Sequence, residues 1–146
     1  MPSNRKTDVI GVGINNAQWR PAGGEYGKQT WTIFNTKTNT NTTGSSTYNS
    51  SSNKWKCGKD AYALKMNLKD NPSSNKKVTN IKLYMYYTVT PTGSLPKWLD
   101  AYGQYSHQET KTEISPTINF DGTGGFTISN STKFSHSYVT ASLKTK

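Results

Sequence analysis

The chain is poor in the residues that most often carry chemistry or covalent cross-links. Its 146 residues include one cysteine, Cys57, and two histidines, His107 and His136. A single cysteine excludes an intrachain disulfide. The three side chains are too few and too scattered to supply the four ligands of an ordinary zinc site. The sequence therefore predicts no metal site and no cofactor.

Signatures of catalysis are missing as well. No serine lies in a G-x-S-x-G elbow, and the segment Gly11 to Gly13 lacks the third glycine of a dinucleotide-binding loop. Glu109 and Glu113 share one polar segment, whereas a glycosidase needs two carboxyl groups held across a cleft. We therefore expect a non-enzymatic protein.

Long hydrophobic runs are also absent. Apolar residues make up 31% of the chain, and no apolar run approaches the ~20 residues of a membrane-spanning helix. The polar start, Met1 to Lys6, shows no secretory signal. The 21 Thr, 16 Ser and 14 Asn are typical of exported surface proteins. We expect a secreted, extracellular protein in which Met1 replaces a removed leader.

Negative charge is scarce relative to positive charge. The chain contains eight Asp and Glu residues and 18 Lys and Arg residues, so its net charge is +10. This balance favours anionic partners such as acidic polysaccharides, teichoic-acid-like polymers or anionic lipid headgroups. Sixteen of the cations are lysine, which suits diffuse attraction, whereas bidentate reading of bases favours arginine. A cell surface is therefore favoured as partner over nucleic acid.

The residues that are abundant favour β-structure. Four Trp, nine Tyr and four Phe supply core volume, and together with threonine they suit the pleated surface of a sheet. The length fits one domain. Seven or eight short strands with recurrent turn signals predict an all-β, single-domain antiparallel β-sandwich over residues 1–146, with a β-barrel as the alternative.

The clearest strand runs from Val78 to Thr90. Its two faces carry Ile81, Leu83, Met85, Tyr87 and Val89 on one side and Asn80, Lys82, Tyr84, Tyr86, Thr88 and Thr90 on the other. Alternation over this length predicts the central strand of the fold. Ala61 to Leu68 alternates too, and the Asp70 to Asn75 turn predicts that the two segments form an antiparallel hairpin.

Three further segments carry specific predictions. Residues 35–53 are a low-complexity Thr/Ser/Asn stretch that forms either a long loop, the favoured interpretation, or an edge hairpin. Ser94 to Gly103 has apolar residues at helical spacing and predicts at most one short helix near 95–102. Thr117 to Phe120 and Phe126 to Ser129 flank a Gly-rich turn and predict a hairpin.

The outward face of the predicted central strand is the first candidate binding site. Lys82, Tyr84 and Tyr86 lie in a row there. Tyrosines beside a lysine can stack sugar rings or bases. The alternative is that a second layer covers them, because a central strand is often buried on both faces.

Trp55, between Lys54 and Lys56, is the second candidate. If exposed, this aromatic residue between cations suits polysaccharide stacking or a membrane interface, and if packed it begins a strand. We hypothesise that the two groups together bind an anionic or carbohydrate-rich cell surface.

Two other functions remain open. Thr110 to Lys146 is rich in Ser and Thr and turns at Gly122 to Gly125. Its composition is similar to the amphipathic hairpins of β-pore-forming toxins, in which each spanning strand needs about 9–11 residues. This predicts a membrane-active toxin or toxin component that works at a membrane surface. The second alternative is a structural surface module that forms a homo-oligomer by pairing its edge strands.

Overall fold

The computed structural model describes residues 6–15, 17–108, 117–120, 125–129 and 134–145. These residues form twelve strands and no helix. The strands are β1 Thr7–Ile14, β2 Trp19–Pro21, β3 Tyr26–Asn35, β4 Thr40–Tyr48, β5 Trp55–Cys57, β6 Ala61–Asn67, β7 Lys76–Tyr86, β8 Val89–Pro91, β9 Trp98–Gln108, β10 Thr117–Phe120, β11 Phe126–Ser129 and β12 Phe134–Lys144. Nothing in this part of the chain is a helix long and apolar enough to cross a membrane.

All strand pairs are antiparallel and belong to four sheets. The largest has the order β12-β9-β1-β6-β5, the next has the order β4-β3-β7, and β10-β11 and β2-β8 form two-stranded ribbons. None of the described sheets closes into a barrel. The predicted all-β fold is confirmed, and its layers are consistent with a β-sandwich.

The β10-β11 ribbon covers one face of the five-stranded sheet. Val9 and Ala63 are fully buried there with Ile118 and Phe126. The ribbon is anchored through Gln104, whose Nε2 donates to the Phe126 carbonyl at 2.9 Å and whose Oε1 accepts from the Phe126 N–H at 3.2 Å. The hairpin predicted for these segments is confirmed, and its turn, residues 121–124, lies outside the described residues.

The three-stranded sheet covers the opposite face. A Cβ at Gly27 would overlap the buried side chain of Leu64, so the two sheets meet closely at this glycine. Tyr87 follows β7, donates its hydroxyl to the Val12 carbonyl at 2.6 Å and stacks on Tyr62 with ring centroids 4.6 Å apart. The five-stranded sheet is therefore covered on both faces.

The strand predicted as central lies at an edge. β7 ends at Tyr86, and Val89–Pro91 forms a separate strand that pairs with β2. Among the described strands β7 pairs only with β3, while β6 pairs with β1 and β5. The predicted hairpin between the two segments is wrong, because the chain after Asn67 crosses from one sheet to the other instead of turning back.

A bulge in β7 sets which side chains face the core. Thr30 pairs with Lys82, but Thr32 pairs with Thr79, so one extra residue lies in β7. Asn80 in this bulge has φ 55°, a left-handed conformation that asparagine tolerates. After the bulge, the side chains of β7 alternate regularly. Lys82, Tyr84 and Tyr86 point outward, and the residues between them face the core.

The segment near 95–102, predicted to contain at most one short helix, contains none. β9 begins at Trp98, and Leu99 pairs with Leu143 of β12. Pro96 has no N–H to donate and biases Leu95 towards an extended conformation. The segment from Trp98 onward forms a strand because β12 and β1 supply the hydrogen-bond partners for its backbone.

Within residues 35–53, Thr40–Tyr48 forms an edge strand that pairs along its whole length with β3. The chain reverses at Asn35, whose Oδ1 accepts from the N–H groups of Lys37 and Thr38, and at Asn39, which has φ 55°. Asparagine residues therefore close a turn inside a segment whose composition favours a loop.

Candidate functional site

The outer surface of the three-stranded sheet carries a cluster of tyrosines and lysines that we call the tyrosine–lysine face. Its members are Tyr26 and Lys28 of β3 and Lys82, Tyr84 and Tyr86 of β7. The antiparallel register places Tyr86 opposite Tyr26 and Tyr84 opposite Lys28. These residues alternate along β3 with Gly27, which faces the core. The face therefore points away from the five-stranded sheet.

Tyr26 contacts both Tyr84 and Tyr86, and the latter two rings are exposed to solvent. Tyr26 stacks on Tyr86 with centroids 5.4 Å apart and lies tilted against Tyr84 at 6.3 Å. The exposed fraction is 47% for Tyr84 and 54% for Tyr86. Among the described residues, no further layer covers Tyr84 and Tyr86, which disagrees with the alternative interpretation. Mutual stacking holds the rings in place, so a ligand meets an ordered aromatic surface.

A shallow hollow of about 360 Å³ continues from the lysines of this face towards β4. Around it lie Lys28, Thr30, Thr43, Ser45, Asn80 and Lys82. Ammonium, hydroxyl and amide groups thus lie next to the aromatic cluster. This combination can hydrogen-bond sugar hydroxyls and attract acidic groups while a ring stacks on the tyrosines.

The second predicted group does not join this face. Trp55 donates its Nε1–H to the Asn49 carbonyl at 3.0 Å, and its ring packs against Gly27 on the inner side of β3. Lys54 is half-buried beside it, and Lys56 is exposed on β5. The structure thus separates Trp55, Lys54 and Lys56 from the row of Lys82, Tyr84 and Tyr86.

Sequence reasoning missed Tyr26 and Lys28. Tyr26 lies between Gly24 and Gly27, and glycines at this spacing favour a loop. Only the pairing of β3 with β7 brings these residues beside Tyr84 and Tyr86. The spacing of residues within either segment does not predict that pairing.

A polar cluster on the inner face of the five-stranded sheet was missed too. The carboxylate of Asp8 is almost fully buried, and its Oδ1 lies 2.7 Å from Nδ1 of His107 while its Oδ2 accepts from the Tyr105 hydroxyl. Burial, and then the hydrogen bond to Asp8 and its charge, raise the pKa of Tyr105. Asp8 is about a hundred residues from its partners, so sequence spacing could not reveal the cluster.

The Asp8 cluster lines a cleft of about 360 Å³ between β1, β9 and β7. Ile10, Leu68, Ile81 and Leu83 form its apolar walls. His107 directs its Nδ1 at Asp8, and the residue also lines this cleft. The cluster also joins β1 to β9, a sufficient structural role for a buried carboxylate with two partners.

Glu109 and Glu113, the carboxyl groups considered in the sequence, are outside the described residues. Cys57 is exposed at the end of β5. Within the described ranges, no three His, Cys, Asp or Glu side chains come together as metal ligands would.

No protein-family model, curated protein or solved structure matches the chain.

Proposed function

We propose that the protein is a non-enzymatic, extracellular binding protein that engages an anionic or carbohydrate-rich cell surface through the tyrosine–lysine face. One observation carries the proposal: Tyr84 and Tyr86 are about half exposed on a sheet surface that also presents Lys28 and Lys82. Aromatic side chains usually contribute most when they are buried. Grouped exposed rings beside cations are typical of a binding surface.

The two kinds of side chain have different roles in this proposal. The tyrosine rings stack on the apolar faces of sugar rings, which fixes the ligand on the sheet. The lysines and the net charge of +10 attract acidic groups over a longer range and accelerate encounter with the surface. A repeating polymer binds many copies of such a weak site, so modest affinity at each site is sufficient.

Binding to alginate, a polyuronate, tests the electrostatic part of the proposal. We expect it to weaken strongly as NaCl rises from about 0.05 M to about 0.5 M, because exposed charges are screened. The double variant Lys28→Gln/Lys82→Gln should bind roughly three- to tenfold more weakly, since each exposed charged contact contributes about 0.2–1 kcal/mol. Immobilised alginate and surface plasmon resonance would measure both effects.

The matched control removes the same charge elsewhere. Lys37 and Lys97 are exposed and lie outside the face, so Lys37→Gln/Lys97→Gln should bind as the wild type does apart from a small general charge effect. Binding that ignores salt, or equal losses in both double variants, would contradict a role for the lysines of the face.

A membrane-active protein is the second candidate, and the β10-β11 ribbon favours it. Along both strands apolar residues that face the sheet alternate with polar residues that face solvent. The apolar set is Ile118, Phe120, Phe126 and Ile128, and the polar set is Thr117, Asn119, Thr127 and Ser129. If released from the sheet, the ribbon would present one face suited to lipid and one suited to water.

Tethering the ribbon tests this candidate. In a Cys57→Ser background, Ala63→Cys and Ile118→Cys place a cysteine pair within one buried cluster that joins sheet and ribbon. If the ribbon inserts, dye release from anionic vesicles should be abolished in the oxidised variant and restored by reduction. A protein that binds these vesicles without leakage in either state would contradict membrane activity and leave surface binding in place.

A further inference from the structure

A second hollow, of about 330 Å³, lies on the inner side of β3 and β4. Trp31, Lys54 and Lys69 line it together with Gln29, Ser46 and Asn67. We infer that it binds one acidic sugar residue, a pyranose bearing a carboxylate. The inference rests on the proposed function for the class of ligand, but it concerns a separate site: Trp31 lines both hollows, whereas Gln29, Lys54 and Lys69 line this one and not the outer one.

The floor of the hollow is built on a buried amide. Gln29 is 1% exposed, its Nε2 donates to the Asn67 carbonyl at 3.0 Å, and its Oε1 accepts from the Lys69 N–H at 2.8 Å. These two bonds fasten the chain after β6 to β3. The backbone that carries Asn67 and Lys69 is therefore positioned before any ligand arrives, which lowers the entropy lost on binding.

The cation in the hollow is oriented by an aromatic ring. The Lys69 Nζ lies 5.4 Å from the centroid of Trp31, within the range of a cation–π interaction. The indole packs against Gly44, where a Cβ would lie only 2.6 Å from Nε1, so a glycine is required for the ring to adopt this position. Lys69 and Trp31 thus support each other at the rim of the hollow.

Two ammonium groups at one hollow select an anionic ligand. Lys54 faces the same space as Lys69, and like charges brought together favour an anion between them. Asp70 also lines the hollow and would repel a compact multivalent anion such as inorganic phosphate more than a sugar, whose hydroxyls can donate to a carboxylate. The lining therefore fits a carboxylate at one end of the ligand and hydroxyls at the other.

The size of the hollow limits the ligand to one ring. Its volume lies at the small end of the ~300–1,000 Å³ range of ligand pockets. Ser46 and Asn67 offer a hydroxyl and an amide to the remaining sugar oxygens. One sheet would then bind an acidic polysaccharide along its outer face and a single acidic sugar on its inner face.

Titration with glucuronic acid and with glucose, followed by NMR at the Trp31 indole N–H, tests the inference. We expect saturable shifts with glucuronic acid and none with glucose at the same concentrations. Lys69→Gln and Lys54→Gln should each weaken the glucuronic acid response about tenfold, because each removes a charged hydrogen bond to the carboxylate. Unchanged spectra elsewhere would show that the variants are folded, and Lys37→Gln is the matched control.

The outcomes separate this inference from the proposed function. An absence of glucuronic acid shifts at Trp31, or shifts that Lys54→Gln and Lys69→Gln leave unchanged, would overturn the second site alone if Tyr84→Ala/Tyr86→Ala still abolishes alginate binding. Glucuronic acid shifts at Trp31 that depend on Lys54 and Lys69, in a protein whose alginate binding ignores Tyr84 and Tyr86, would overturn the tyrosine–lysine face alone. Equal responses to glucose and glucuronic acid would overturn the assignment to acidic sugars.

Discussion

Replacing Tyr84 and Tyr86 together by alanine should weaken binding to alginate by about 100-fold or more. Each ring that stacks on a ligand contributes about 1–3 kcal/mol by alanine substitution, and the two contributions act on the same ligand. Loss of Tyr86 also removes the stacking partner of Tyr26, whose ring lies 5.4 Å away. Isothermal titration calorimetry or surface plasmon resonance with immobilised alginate would measure the effect.

The same double variant should remain folded, because both rings are about half exposed. Tyr84→Phe/Tyr86→Phe keeps the rings and should bind within about threefold of the wild type if stacking dominates over the hydroxyl groups. Tyr138→Ala is the matched control, since Tyr138 is 68% exposed on β12, outside the face. An equal loss in Tyr138→Ala, or no loss in the double alanine variant, would show that the ligand binds elsewhere.

Replacing Phe126 by alanine should lower the free energy of unfolding by about 3–5 kcal/mol, a large part of the ~5–15 kcal/mol of a typical domain. Phe126 is 5% exposed and belongs to the cluster with Val9, Ala63 and Ile118. Its ring fills the space above Gly11, where a Cβ would overlap it. Urea denaturation followed by tryptophan fluorescence would give the change.

Two further variants should lose less stability than Phe126→Ala and serve as controls for it. Phe126→Leu retains much of the buried volume and should lose clearly less than the alanine variant. Val139→Ala removes an apolar side chain that is 70% exposed and should change stability by less than about 0.5 kcal/mol. A loss below about 1 kcal/mol for Phe126→Ala would mean that the β10-β11 ribbon contributes little to the folded state and can leave the sheet readily.

The alternation of side chains along single segments was predictable, because the period of two is a local property of an extended chain. It identified Ala61 to Leu68, most of Val78 to Thr90 and both arms of the β10-β11 hairpin as strands. It also placed Lys82, Tyr84 and Tyr86 on one side, and the structure leaves that side exposed.

Composition and spacing misled where hydrogen bonds with distant strands decide the conformation. The apolar spacing in Ser94 to Gly103 fits a helix, yet β9 begins within it because β12 and β1 supply partners. The low-complexity stretch around Thr40–Tyr48 lacks an apolar face, yet it is ordered along the edge of β3. Propensity is a weak guide in both cases because the competing interactions come from outside the segment.

The sequence by itself determined that this protein is basic and all-β, with three outward-facing side chains at Lys82, Tyr84 and Tyr86. Tertiary structure alone decided that β7 is an edge strand beside β3, that Tyr26 and Lys28 complete the tyrosine–lysine face, and that Trp55 packs on the opposite side. The physical reason is that alternation reports which way a side chain points, whereas the choice of neighbouring strand depends on packing and hydrogen bonds between residues far apart in the chain.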